Sequence, residues 1–115
     1  MKVVVDASNV AYSTKNENSQ PQMSNILAAV KSLEESGDEF VIIADASLRH
    51  DIDDKEKFEK LLESENVEEV PAGNDADHFI LNIAHNEKAK ILSNDKFRDY
   101  ADELKNINSI RIPFV

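Results

Sequence analysis

The sequence predicts an α/β fold in which a parallel sheet carries helices on both faces, and three observations lead there. Residues 2–5 (KVVV) and 40–44 (FVIIA) are short β-branched and apolar runs without alternation, the mark of strands buried on both faces. Segments of helical period lie between the strand-like runs. The two kinds of segment then take turns to the end of the chain, the pattern of right-handed crossovers between parallel strands.

Taken in order, residues 2–5 form the first strand, followed by a long polar stretch, 13–20, that reads as a mobile loop. Met23, Ile26, Leu27, Val30 and Leu33 recur at three- and four-residue spacing and predict a helix, with Pro21 suited to its first turn and Gly37 to its C-terminal cap. Residues 40–44 are the second strand. Asp53 or Asp54 caps a second helix carrying Phe58, Leu61 and Leu62, and residues 67–70 are a third strand. Phe79, Ile80, Ile83 and Ala84 mark a third helix, 90–92 a fourth strand, and Phe97, Tyr100, Ala101 and Leu104 a fourth helix. Residues 110–115 close the sheet, and Pro113 suits an edge strand there.

The chain has 115 residues, 41% of them hydrophobic and 31% charged, which predicts one globular domain over 1–115. The absence of cysteine excludes a disulfide framework, a thiolate metal site and a cysteine nucleophile. The N-terminal apolar run is too short for a signal peptide or a membrane span, so the expectation is a soluble, cytoplasmic protein with no membrane partner. A formal net charge of -10 argues against a nonspecific coat on nucleic acid, because phosphate binding normally rests on a surplus of Lys and Arg.

Where those acids stand is more informative than their number. In open parallel sheets the functional crevice lies at the carboxyl ends of the strands. Asp6 follows the first strand, Asp45 the second, Asp75 and Asp77 the third, and Asp95 the fourth. Any one of them is explained as a turn or cap residue. Four in register repel by roughly 4 kcal/mol per pair at 4 Å separation and an effective dielectric of 20, so a cation belongs among them. Carboxylate oxygens without Cys favour Mg²⁺ or Mn²⁺, ions that promote in-line displacement at phosphorus.

Asp77 precedes Ile80, Leu81 and Ala84 by three, four and seven residues, which puts it on the flank of a buried helical stripe. Asp75 is either its partner or a cap. Asp95 and Asp99, four apart, can face one spot. Arg98 between them, near a helix N-terminus, suits an anion or a salt bridge. Asn9 is a turn residue, a donor to Asp6 or a substrate contact. Ser8 is a cap or a hydroxyl near the site, and Arg49 and His50 are either phosphate-gripping cations or surface residues. His78 and His85 read as solvent-facing.

The stretches VVVDASNVAYS, VIIADASLRH, NDADHFILNIA, ILSNDKFRDY and IRIPFV resemble, in order and over nearly the whole chain, the NYN branch of the PIN-like ribonucleases, of the Regnase (CCCH zinc-finger endoribonuclease) type. The resemblance implies a three-layer α/β/α PIN-like fold with a central parallel sheet of about five strands. It also implies metal-dependent endonucleolytic cleavage of single-stranded or loop RNA. Carried over by motif, Asp6, Asn9, Asp77, Asp95 and Asp99 are the catalytic set, with Asp6, Asp77 and Asp95 holding Mg²⁺ or Mn²⁺. RNA contacts fall to Ser8, Arg49, His50, Lys96 and Arg98, or to a second chain, since a homodimer is left open. Two departures stand out. The family has adjacent acids where Ala76 here precedes Asp77, and its basic insertion before that pair is replaced by Pro71, Ala72, Gly73 and Asn74. The alternative function is a PIN-like module that binds RNA or protein without cutting.

Overall fold

A computed structural model describes residues 2–93 and the backbone of 111–112. The elements run β1 (Lys2–Asp6), α1 (Ala7–Ala11), α2 (Met23–Ser36), β2 (Glu39–Asp45), α3 (Leu48–Asp51), α4 (Lys55–Leu62), β3 (Val67–Val70), α5 (Ala76–Glu87), β4 (Lys90–Leu92) and β5 (Arg111–Ile112). Their strands form one five-stranded sheet in the order β3-β2-β1-β4-β5, and every neighbouring pair is parallel. The expected α/β/α architecture is therefore the observed one, with β5 at an edge.

Strand pleating divides the core into two. Val3, Val5, Ile42 and Ala44 pack with α1, α2 and α4, around Met23, Ile26 and Phe58. Val4, Ile43, Val70 and Ile91 face the other way, onto Ile80, Leu81 and Ala84 of α5. Adjacent strand residues thus serve opposite layers, which is why the β1 and β2 sequences are apolar without a break. The two crossovers running outward from β1 to β3 place their helices on one face. The return from β3 to β4 places α5 on the other, as a right-handed connection in the reverse direction requires.

Local chemistry accounts for the helix ends. Gly37 takes the left-handed conformation at the end of α2 (φ 73°), where its N–H donates to Glu34 O at 3.1 Å and that of Asp38 to Leu33 O at 3.1 Å. Both aspartates proposed as caps before α4 are caps, on different helices. Asp54 accepts the Lys57 N–H at 3.1 Å and starts α4. Asp53 Oδ1 accepts the Met23 N–H at 2.8 Å and caps α2 across 30 residues of sequence, while its own N–H donates to Pro21 O at 3.0 Å. Gln22, at the N-cap of α2, makes no side-chain capping bond.

Several expectations need correction. Pro21 is not in the first turn of α2; it is buried, two residues before the helix, in a bridge with Lys15. Residues 13–20 are the loop expected, folded on itself because Asn16 Oδ1 collects the N–H groups of Asn18 and Gln20 at 2.9 and 3.0 Å. Helices α1 and α3 were not anticipated, although Ala7, Val10 and Ala11 have helical spacing. Leu27 and Phe79, counted among the periodic apolar positions of their helices, are exposed. The expected fourth helix lies outside the described residues. Among the described residues, no helix is long and apolar enough to cross a membrane.

Asp53→Ala is expected to lower the stability to urea by about 1 kcal/mol through loss of the long-range cap. Gln22→Ala is expected to cost less than about 0.5 kcal/mol. Equal midpoints for the two variants would show that Asp53 does not cap α2.

Candidate active site

Reversal of strand order opens the crevice between β1 and β4, the point where ligands meet open α/β sheets. Two polar side chains are buried among the described residues, and both are here: Asp6, 6% exposed, and Ser93, 0%. The register explains the meeting. Val5 pairs with Leu92, so the next residues, Asp6 and Ser93, come level at the strand ends. Ser93 Oγ donates to Asp6 Oδ2 at 3.2 Å, and the main-chain N–H of Asn9 donates to Asp6 Oδ1 at 3.3 Å. Asp6 is thus the N-cap of α1 as well as the acid at the end of the central strand. Asn9 contributes through its backbone.

Asp77 approaches from the other layer. Helix α5 begins at the same edge of the sheet, and Asp77 is half-buried in its first turn, where the helix dipole favours a negative charge. The stripe predicted beside it, Ile80, Leu81 and Ala84, is buried as expected. Asp75 takes the second of its two roles: its carboxylate accepts the Asp77 N–H at 3.0 Å and caps α5. His78 and His85 are exposed.

Asp45, at the end of β2, is built into the scaffold more firmly than its sequence position suggests. Its register partner is Val70, whereas Asp6 is level with Ile43, so Asp45 lies two residues, about 6.6 Å, farther along the strand direction. Oδ2 accepts the Ser8 hydroxyl at 2.8 Å; Oδ1 accepts the Ser47 hydroxyl at 2.8 Å and the Leu48 N–H at 2.9 Å. Asp45 therefore starts α3 and ties it to α1. Because a carboxylate only accepts, the Ser8 proton points at Asp45, and Ser8 Oγ has lone pairs, not a proton, to offer a further partner.

A cleft of about 580 Å³ runs beside this brace, lined by Asp45, Ser47, His50 and residues 71–77. His50 is exposed within it. Arg49 is not turned to the cleft as an uncommitted cation. It forms a two-pronged pair with Glu69 on β3, at 2.8 and 2.7 Å, which raises its pKa above the ordinary value, first through the hydrogen bonds and then through the charge of Glu69. Tyr12, just beyond α1, was missed by the sequence reading. Its hydroxyl donates to Asp51 Oδ2 at 3.2 Å, and partial burial, then the Asp51 charge and hydrogen bond, push its pKa up.

The carboxylate and hydroxyl oxygens among the described side chains are of the kind that hard divalent cations take. Among the described residues, no three Asp, Glu, His or Cys side chains are grouped closely enough to hold a metal by themselves. Asp95, Lys96, Arg98 and Asp99 lie outside the described residues. The sequence places Asp95 only two residues beyond Ser93, itself hydrogen-bonded to Asp6.

Comparison with known proteins bears on the whole arrangement. Residues 1–114 match the family described as Zc3h12a-like Ribonuclease NYN domain. None of the curated proteins compared with the chain matches it. Two solved structures of the nuclear proteinaceous RNase P 2 (PRORP2) from Arabidopsis thaliana share the fold. One has a TM-score of 0.71 at 18% identity and the other 0.76 at 17%, each covering 98% of this chain. The chain spans 27% of the length of either.

Removing the brace tests its structural role. Asp45→Ala is expected to destabilise the fold by about 2 kcal/mol, because three donors lose their acceptor. An unchanged urea midpoint would mean that water replaces the carboxylate without cost.

Proposed function

Since the chain belongs to the Zc3h12a-like ribonuclease NYN domain family, we propose that it is an endoribonuclease that hydrolyses RNA phosphodiester bonds with the help of a divalent cation. The observation that carries the proposal is Asp6: a carboxylate buried to 6% exposure at the end of the central strand, where the strand order reverses. Burying a carboxylate is costly unless charge or hydrogen bonds compensate; Ser93 and the Asn9 N–H compensate here, and what supports the reading is that the buried acid stands at the crevice where ligands meet open sheets.

In this proposal Asp6, Asp77 and Asp95 hold Mg²⁺ or Mn²⁺, directly or through water, with Asn9 and Asp99 beside them. A bound divalent ion supplies an activated water and neutralises charge that develops at phosphorus. The chain's own residues hold the geometry. Ser93 and the Asn9 N–H fix the two oxygens of Asp6, Asp75 fixes the turn that presents Asp77, and Asp45 fixes Ser8 as an acceptor. His50, which lines the cleft beside Asp45, is assigned to RNA contact. Lys96 and Arg98, next to Asp95 in sequence, add positive charge for RNA.

A second reading, a module that binds RNA or protein without cutting, draws on Arg49. The guanidinium nearest the end of β2 is already neutralised by Glu69. Incubation with unstructured RNA in Mn²⁺ and in EDTA separates the two readings: the nuclease gives cleavage that EDTA abolishes, and the module gives none.

Asp6→Asn is expected to lower Mn²⁺-dependent cleavage by at least about 100-fold, more than outer partners of a metal site typically cost, with the circular dichroism spectrum unchanged. Cleavage at the parent rate would remove Asp6 from the mechanism. Glu69→Gln releases Arg49. It is expected to tighten RNA binding and to steepen its dependence on log salt by about one unit, as for one added phosphate contact. An identical salt slope would leave Arg49 without a part in binding.

A further inference from the structure

A protein of net charge -10 cannot rely on phosphate attraction to hold RNA, so a contact of another kind is required. Three large apolar side chains among the described residues are exposed: Tyr12 at 40%, Leu27 at 41% and Phe79 at 39%. Exposure by itself calls for no explanation. Tyr12 differs in how firmly it is held and in what surrounds it.

Its main-chain N–H donates to Ser8 O at 2.9 Å, and its hydroxyl reaches Asp51 Oδ2 at 3.2 Å. The main chain at Tyr12 is thus tied to α1 and the ring's hydroxyl to Asp51, while much of the ring remains open. Lys15 Nζ lies over the ring, 5.8 Å from its centroid, which is a loose cation–π contact at an accessible site. Asp51 directly follows His50 of the cleft. Tyr12 and Asp6 cap the two ends of α1, so their main-chain positions are about 9 Å apart along the helix axis at 1.5 Å rise per residue. That separation is fewer than three stacked nucleotides at about 3.4 Å each.

We propose that the Tyr12 ring is a stacking platform for one base of single-stranded RNA, with Lys15 meeting an adjoining phosphate. The proposal rests on the ribonuclease reading and adds to it a reason for single-strand preference. Every base has a π face, so a platform accepts any sequence, but a base paired and stacked within a duplex has no free face to give. Stacking also needs no counterion release, so it works on an acidic surface where phosphate contacts are few. The tie to Asp51 orients the ring in advance and reduces what must be ordered on binding.

The test is steady-state cleavage of a short, unstructured, fluorescein-labelled oligoribonucleotide in Mn²⁺, with anisotropy for binding, using the parent and three variants. Tyr12→Ala is expected to raise KM and Kd by about 5- to 150-fold with kcat within twofold, the range that loss of one base–aromatic stack gives. Tyr12→Phe, which keeps the ring and loses the Asp51 bond, stays within about threefold of the parent, as does Leu27→Ala, which removes an exposed apolar side chain elsewhere. Equal KM and Kd for the parent and Tyr12→Ala would overturn the platform while cleavage upheld the ribonuclease. A parent that neither binds nor cuts would overturn both. Binding without cleavage, weakened in Tyr12→Ala, would uphold the platform in the non-cutting module.

Discussion

The constraint on which the structure depends is the burial of β1 on both faces and along both edges. Val3, Val4 and Val5 are inaccessible to solvent, with β2 on one side and β4 on the other. Fully burying a valine is favourable by about 1.5–3 kcal/mol, so this strand cannot slip by a residue without reversing which side chains meet α2 and which meet α5. Fixing β1 fixes Asp6. The polar residue after the buried run has nowhere to go but the strand end, and the two flanking strands bring Ser93 and, two residues farther along, Asp45 to the same edge.

Much of this was legible in the sequence because the fold class and the acids depend on local patterns. Unbroken β-branched runs announce strands covered on both sides, and the spacing of Asp77 ahead of Ile80, Leu81 and Ala84 places it correctly beside the buried stripe. Hidden from it were relations between segments. Asp53 sits before α4 in sequence, and only the fold brings it to the N–H of Met23. Arg49 looked like a phosphate contact because no local pattern reveals that β3 brings Glu69 beside it. Helix α1 was missed for another reason: five residues are too few to display a period, and its capping by Asp6 was indistinguishable from a turn.

The same contrast explains why the strand-end acids are not equivalent. A carboxylate that accepts several short hydrogen bonds is a structural brace, since spending its lone pairs on a cation would release donors that hold the backbone. Asp45, with three bonds of 2.8–2.9 Å, has that character, and Asp75 and Asp54 act as caps. Asp6 accepts from Ser93 and Asn9 at the longer distances of 3.2 and 3.3 Å. What sets Asp6 apart from the other acids is its place: it is buried at the end of the central strand, where the strand order reverses and ligands meet open sheets.

That partition changes what a surplus of 23 acids over 13 basic residues means. Most of the described Asp side chains near the sheet edge are committed to holding helices and loops in place, so the density of negative charge there overstates the affinity for a cation. Three of the basic residues are paired as well: Arg49 with Glu69, Lys57 with Asp54 and Lys2 with Glu87. With a net charge of -10, long-range attraction of a polyanion is weak, and recognition has to arise at short range. Short range means a cation seated between few carboxylates, or a ring face that a base can cover, and both need a rigid sheet edge. The two-sided core around β1 supplies that rigidity.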